Sequence, residues 1–160
     1  MDELDKIPFI SKIVLTKDRN DLVKGLLNSI KEHNKYPSNR LHIYIGDTGR
    51  TEKNISELDN IISDFNNTIP TDLIKFDFYN FAKNNNYIVN NSIDEKTDLL
   101  LFSNYDITLI NDAISIMSKN FVKGVRIGSV GCELIHSDDT IQHLGIAFIV
   151  NQKKKIANFI

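Results

Sequence analysis

An α/β fold built on a largely parallel sheet with helices on both faces is what this sequence predicts, and three observations predict it. Apolar runs of strand length alternate with segments whose apolar residues recur at helical spacing. The run Leu99–Phe102 is continuously apolar, as expected of a strand buried on both faces. The chain between successive runs is long enough for the crossover that a parallel pair requires.

The elements follow in order. "FISKIVLTK" is β-rich and ends at Thr16-Lys17-Asp18; Leu22, Leu26, Leu27 and Ile30 then repeat at helical spacing, with Asp18 as the expected N-cap. "LHIYIGDTG" reads as a strand running into a turn. "TEKNISELDNIISDF" puts Ile55, Leu58, Ile61, Ile62 and Phe65 on one helical face. "DLIKFDFY" is a third strand, and "NFAKNNNYIVNNSI" a helix in spite of poor intrinsic propensity. "DLLLF" is a fourth strand and "INDAISIMSKNF" the helix after it. Two shorter β segments, "IGSVGCELI" and "TIQHLGIAFIV", flank the polar turn Ser137-Asp138-Asp139.

Composition bounds the function. A length of 160 residues, with 41% hydrophobic and 25% charged residues, fits a single globular domain over 1–160. A net charge of -2 gives no general attraction to nucleic acid, and the short run Lys153-Lys154-Lys155 reads as a solvated turn. The lone Cys132 has no partner for a disulfide or a thiolate metal site; it reads as a small core residue in a reducing compartment. No apolar run approaches the length of about 18 residues that a bilayer span needs, so a cytoplasmic location is expected.

Parallel sheets of this kind bind ligands at the carboxyl ends of their strands, so the polar residues at the strand exits matter most. These are Thr16 to Arg19, Asp47 to Arg50, Asn80 to Asn86, and Asn104 to Asp106. Asp106, just past an apolar strand, could offer a carboxylate to Mg²⁺ or Mn²⁺, with a weaker amide ligand from Asn104; the alternative is an Asx-turn capping the next helix. Asp47, between Gly46 and Gly49, could accept a hydrogen bond from a base or a ribose, or could be an ordinary turn aspartate. Neither a dinucleotide fingerprint nor a Walker-type phosphate loop is present. A G-x-S-x-G elbow is also missing, and His33, His42, His136 and His143 show no metal-ligand spacing.

Taken together, these segments resemble the nucleotide-sugar-binding part of family 2 glycosyltransferases with the Rossmann-like GT-A fold. "VLTKDRNDLVKGLLNSI" is similar to the opening strand, T-x-x-R turn and first helix of that family, and "IYIGDTGRTE" to its V-D-N-G-S-x-D strand exit. "FDFYNFAKNNNYIVNNS" resembles the N-F-S-x-x-N-N segment. "LLLFSNYDITLINDAISIM" resembles the stretch that holds the D-x-D-type metal motif, and "GSVGCELIHSDDTIQHLGIAF" the continuation ending in I-Q-H-A-G.

The resemblance implies a metal-assisted, inverting transfer from a nucleoside diphosphate sugar, usually a UDP-sugar, to a glycan, lipid or protein acceptor. It implies that Thr16 and Arg19 line the nucleotide pocket and that Asp47 hydrogen-bonds the base. Lys83, Asn85 and Asn86 would lie beside the ribose and diphosphate. Asp106 would bind the cation, Mn²⁺ or Mg²⁺, with Asn104 in the position of the motif's first acidic residue. Arg50 stands where the family has a small serine, and would either contact phosphate or point outward. The family's catalytic base lies downstream of the I-Q-H-A-G segment, so no residue of this chain is assigned that role; the alternative reading is a non-catalytic sugar-nucleotide-binding domain or a fragment of a larger transferase.

Overall fold

The computed structural model describes residues 7–49, 51–121, 127–144, 148–151 and 156–159. Arg50, the lysines 153–155 and the glycine that closes the I-Q-H-A-G-like segment, Gly145, lie outside the described residues.

Two compact units divide the chain, Met1–Ser115 and Ile116–Ile160. The first is built on a four-stranded parallel sheet in the order β3-β2-β1-β4. Its strands are β1 (Ile10–Thr16), β2 (Leu41–Asp47), β3 (Thr71–Lys75) and β4 (Leu99–Asn104). Every residue of β1 is buried, as befits a strand with neighbours on both sides. The chain steps from β1 through β2 to β3 in one direction and then returns to place β4 on the other side of β1. The strand order therefore reverses between β1 and β4, where open α/β sheets form their ligand crevice.

Register assigns the side chains to two layers. Ile10 and Val14 align with Leu41 and Ile45 of β2 and share one core cluster with Ile43 and with helix residues Val23, Leu26, Leu27, Ile30, Leu58, Ile62 and Phe65. The last seven come from α1 (Asn20–His33) and α2 (Glu52–Asn66), whose apolar residues return every three or four positions to one face. Ile13, Leu15 and Tyr44 point the other way and pack with Ile88 of α3 (Phe81–Asn91). Gly46 permits that contact: a Cβ there would stand 2.5 Å from Leu15 Cδ2 and 3.1 Å from Ile88 Cδ1.

Asparagine-rich α3 forms because its amides are used. Asn80 caps it, accepting the Lys83 N–H at 2.9 Å, while Asn84 and Asn85 donate their Nδ2 groups to the carbonyls of Phe78 and Phe81. Fully buried Ile88 then supplies the tertiary anchor that intrinsic propensity lacks. Replacing the cap, Asn80→Ala, is expected to lower unfolding free energy by about 1 kcal/mol, read as a shift in urea midpoint at constant slope.

Several expectations change. Asp18 is not the cap of α1: Arg19 occupies that position without a side-chain cap, and Asp18 sits just before it at φ 54. An aspartate tolerates this left-handed turn, and its Oδ1 accepts from Asn54 Nδ2 at 3.1 Å. The third strand stops at Lys75, and the helix after β4 is only α4 (Ala113–Ser118). β4 is not buried on both faces. Among the described residues it is one of the two edge strands, with β3 at the other edge, and Leu100 and Phe102 are 41% and 48% exposed, while Leu99 and Leu101 on its other face pack against the main core.

In the second unit, β5 (Leu134–Ile135) and β6 (Ile141–His143) pair antiparallel around the expected polar turn, and β7 (Phe148–Asn151) pairs antiparallel with β8 (Ile156–Phe159). Asp139 turns the chain at φ 63, and Asp138 accepts from the Thr140 hydroxyl at 2.6 Å, which with the Thr140 N–H lowers its carboxyl pKa. β5 begins at Leu134, so Cys132 precedes the strand instead of lying within it. It is exposed, not the core residue expected.

Candidate functional site at the carboxyl edge of the sheet

Parallel pairing brings the ends of three strands together. Thr16, the last residue of β1, is in register with Asp47, the last of β2, and Leu15 is in register with Asn104, the last of β4. From β2 to β4 the span is two strand spacings, about 10 Å. Asp106 follows two residues beyond β4, and Arg19 opens α1 three residues after Thr16. The two aspartates that the sequence singled out thus leave the same edge of one sheet, on either side of β1.

Thr16 is fully buried, and its Oγ1 has no hydrogen-bond partner among the described residues. Its carbonyl accepts from both the N–H and the hydroxyl of Thr48, each at 3.2 Å, which holds the exits of β1 and β2 against each other. Asp47 is 4% exposed, and its Oδ1 accepts the Gly49 N–H at 2.9 Å. Burial pushes its carboxyl pKa up, the Gly49 N–H opposes that, the charge of Asp18 adds to the rise, and Lys75 offsets part of it. Gly49 is needed where it stands: a Cβ would lie 3.0 Å from Asp18 Oδ1 and 3.1 Å from Asp47 Oδ2. This crowding of two carboxylates around one glycine was not read from the sequence, although the D-T-G triplet hinted at a close approach.

Asp47 also makes a prediction about stability. Its folded pKa is raised, so the folded state holds the proton more tightly than the unfolded chain. That contribution is fully present below the unfolded pKa and is lost as pH rises through the folded one. Asp47→Asn keeps an acceptor for Gly49 but cannot ionise. Its stability relative to wild type should therefore improve from acid to neutral pH, as measured by urea unfolding at both.

Arg19 stands at the N-cap position of α1, just past the end of β1. Its Nε and Nη2 donate to the Asp21 carboxylate at 3.0 and 2.9 Å, and its pKa is raised first by that bond, with smaller contributions from Tyr105 and Asp106. The guanidinium therefore stands within electrostatic reach of the β4 exit. Asn104 and Asp106 are both exposed there.

On α3, Lys83 extends its ammonium over the Phe78 ring, 4.8 Å from the centroid. Asn85 is buried, with its amide turned onto its own helix, and Asn86 is exposed.

Among the described residues no group of three or more His, Cys, Asp or Glu side chains could cage a metal ion. The donors at the β4 exit are one carboxylate and one amide oxygen. That set fits a hard cation such as Mg²⁺ or Mn²⁺, which takes one or two protein carboxylates and completes its shell with phosphate oxygens and water. No described helix is long and apolar enough to cross a membrane.

No protein-family model matches the chain. An O-antigen biosynthesis protein of Myxococcus xanthus, RfbC, is 25% identical over 142 residues, covering 87% of this chain and 10% of that protein. Among solved structures, the mannosyltransferase PcManGT from Pyrobaculum calidifontis, in complex with GDP-Man and Mn²⁺, superposes with a TM-score of 0.57 at 17% identity, over 66% of this chain and 29% of that one. S. aureus TarS 1-349 superposes at 0.56 and 18% identity, over 70% of this chain and 31% of that one; its complex with UDP-GlcNAc gives 0.54 at 16% identity. The chain thus spans about a tenth of its curated relative and under a third of these solved chains. Such likeness establishes the fold: a GT-A, Rossmann-like parallel sheet flanked by helices, in agreement with the resemblance carried by the motifs.

Proposed function

We propose that residues 1–160 act as the nucleotide-sugar-binding domain of a cytoplasmic, inverting glycosyltransferase that uses a UDP-sugar and a divalent cation, Mn²⁺ or Mg²⁺. The observation that carries the proposal is the register of Thr16 with Asp47 and of Leu15 with Asn104, which brings the ends of β1, β2 and β4 to one edge where the strand order reverses. Relatives of the same fold support it, one holding GDP-Man and Mn²⁺ and another UDP-GlcNAc.

In this reading Asp47 accepts the N–H of the base. Its buried setting makes that bond selective, because a base without a donor leaves the carboxylate unpaired. Thr16 and Arg19 form the wall between base and diphosphate, and Lys83, Asn85 and Asn86 approach from α3. Asp106, with Asn104, would hold the cation. When bound, the cation supplies positive charge against the diphosphate leaving group. Arg19 adds a fixed cationic group on the same side, able to pair with phosphate oxygens. The acceptor is a glycan, lipid or protein hydroxyl.

Titration calorimetry tests this directly. UDP should bind with an affinity that rises when Mn²⁺ is added, and GDP more weakly. Absence of any Mn²⁺ enhancement for either nucleotide would remove the proposal. Transfer or hydrolysis of a UDP-sugar then separates an active transferase from a domain that only binds.

A further inference from the structure

Lys12 sits at the centre of β1 and is 2% exposed. Its register partners are Ile43 and Leu101, and its Nζ donates to Ser103 Oγ at 2.5 Å. Ser103 is two residues nearer the carboxyl edge than Leu101, so the lysine stem runs along the sheet toward the candidate site. An ammonium in a protein interior carries a heavy desolvation penalty, and an apolar side chain of similar length would fill the same space without it.

The exits of the strands differ in how firmly they are held. β2, which carries Asp47, is paired on both sides by β1 and β3. Among the described residues β4 is paired with β1 alone, and it is half-exposed along its length. Ser103 immediately precedes Asn104 and stands three residues before Asp106. The hydrogen bond from Lys12 of β1 to Ser103 therefore supplies a constraint of the kind that pairing on the second side would give.

We propose that Lys12 is a positioning residue: its bond to Ser103 holds the β4 exit, and with it Asn104 and Asp106, in register with Thr16 and Asp47. The role in cation binding rests on the nucleotide-sugar reading; the tie between strands does not.

Hydrogen exchange of the ligand-free protein reads the tie, and UDP titration with and without Mn²⁺ reads its consequence, for wild type, Lys12→Met and Ser103→Ala. Amides of residues 103–106 should exchange about tenfold faster in both variants, while those of β2 stay protected. The gain in UDP affinity on adding Mn²⁺ should shrink about tenfold, with metal-free UDP affinity retained. Should Lys12→Met fail to fold, Ser103→Ala carries the same test. Unchanged exchange at 103–106 in a folded variant overturns the tie. Faster exchange with an unchanged Mn²⁺ gain overturns the positioning role. No Mn²⁺ gain in wild type instead overturns the nucleotide-sugar reading, and exchange still decides the tie.

Discussion

Asp106→Ala is expected to abolish the Mn²⁺-dependent part of UDP binding, a loss of at least about tenfold in affinity or about 1.4 kcal/mol. Asp106 and Asn104 are the donors placed at the β4 exit, and no described cluster of acidic or imidazole groups stands ready to replace them. A cation held by one protein carboxylate and the nucleotide's own phosphates loses its only charged anchor when that carboxylate goes. The side chain is exposed, so the variant should melt as wild type does. Asp64→Ala, an exposed carboxylate on α2, serves as the control and should leave the Mn²⁺ response intact. A full Mn²⁺ response in the Asp106 variant would show that the cation is bound elsewhere.

Gly46→Val should produce a large loss of stability, about 3 kcal/mol, because it forces new atoms into a filled layer. The first added carbon would meet Leu15 Cδ2 at 2.5 Å, Phe76 Cε2 at 3.0 Å and Ile88 Cδ1 at 3.1 Å. Leu15 and Ile88 are buried, so neither can swing into solvent. The strand preference of valine recovers at most about 1 kcal/mol. For a chain of this size the melting temperature should fall by roughly 6–12 °C. Ile88→Ala alone should cost about 2–5 kcal/mol by leaving a cavity at the same contact. The two changes should be less than additive when combined, because the cavity accommodates the added methyls. Strict additivity would mean that α3 does not press on Gly46. The same clash lies next to Asp47, so nucleotide affinity should fall with stability.

The strands and helices of the first unit were legible because each has the period that burial demands. α1 and α2 show apolar residues every three or four positions, and β1 and β2 carry the short apolar stretches Ile13–Leu15 and Ile43–Ile45, as expected of inner parallel strands. The exit residues were legible for a related reason: a polar group ending an apolar run stands out. The misreadings fall where local pattern and tertiary setting disagree. Leu99–Phe102 looks like an inner strand in composition, yet β4 is an edge strand among the described residues, and strand order is set by pairing between distant segments. Asp18 looked like a cap, yet the turn before α1 places it against Gly49 and Asn54, contacts that exist only once β2 and α2 are beside it. Cys132 belonged to an apolar run that does not become a strand over its full length.

By itself the sequence determined which segments are helix and which are strand, that the sheet is mainly parallel, and which polar residues end the strands, because periodicity and polarity are local properties of the chain. Only the tertiary structure decided the order β3-β2-β1-β4, the crowding of Asp18 and Asp47 around Gly49, and the reach of Lys12 to Ser103. Those depend on contacts between residues far apart in sequence, whose free energy appears only when the sheet assembles and water leaves its faces.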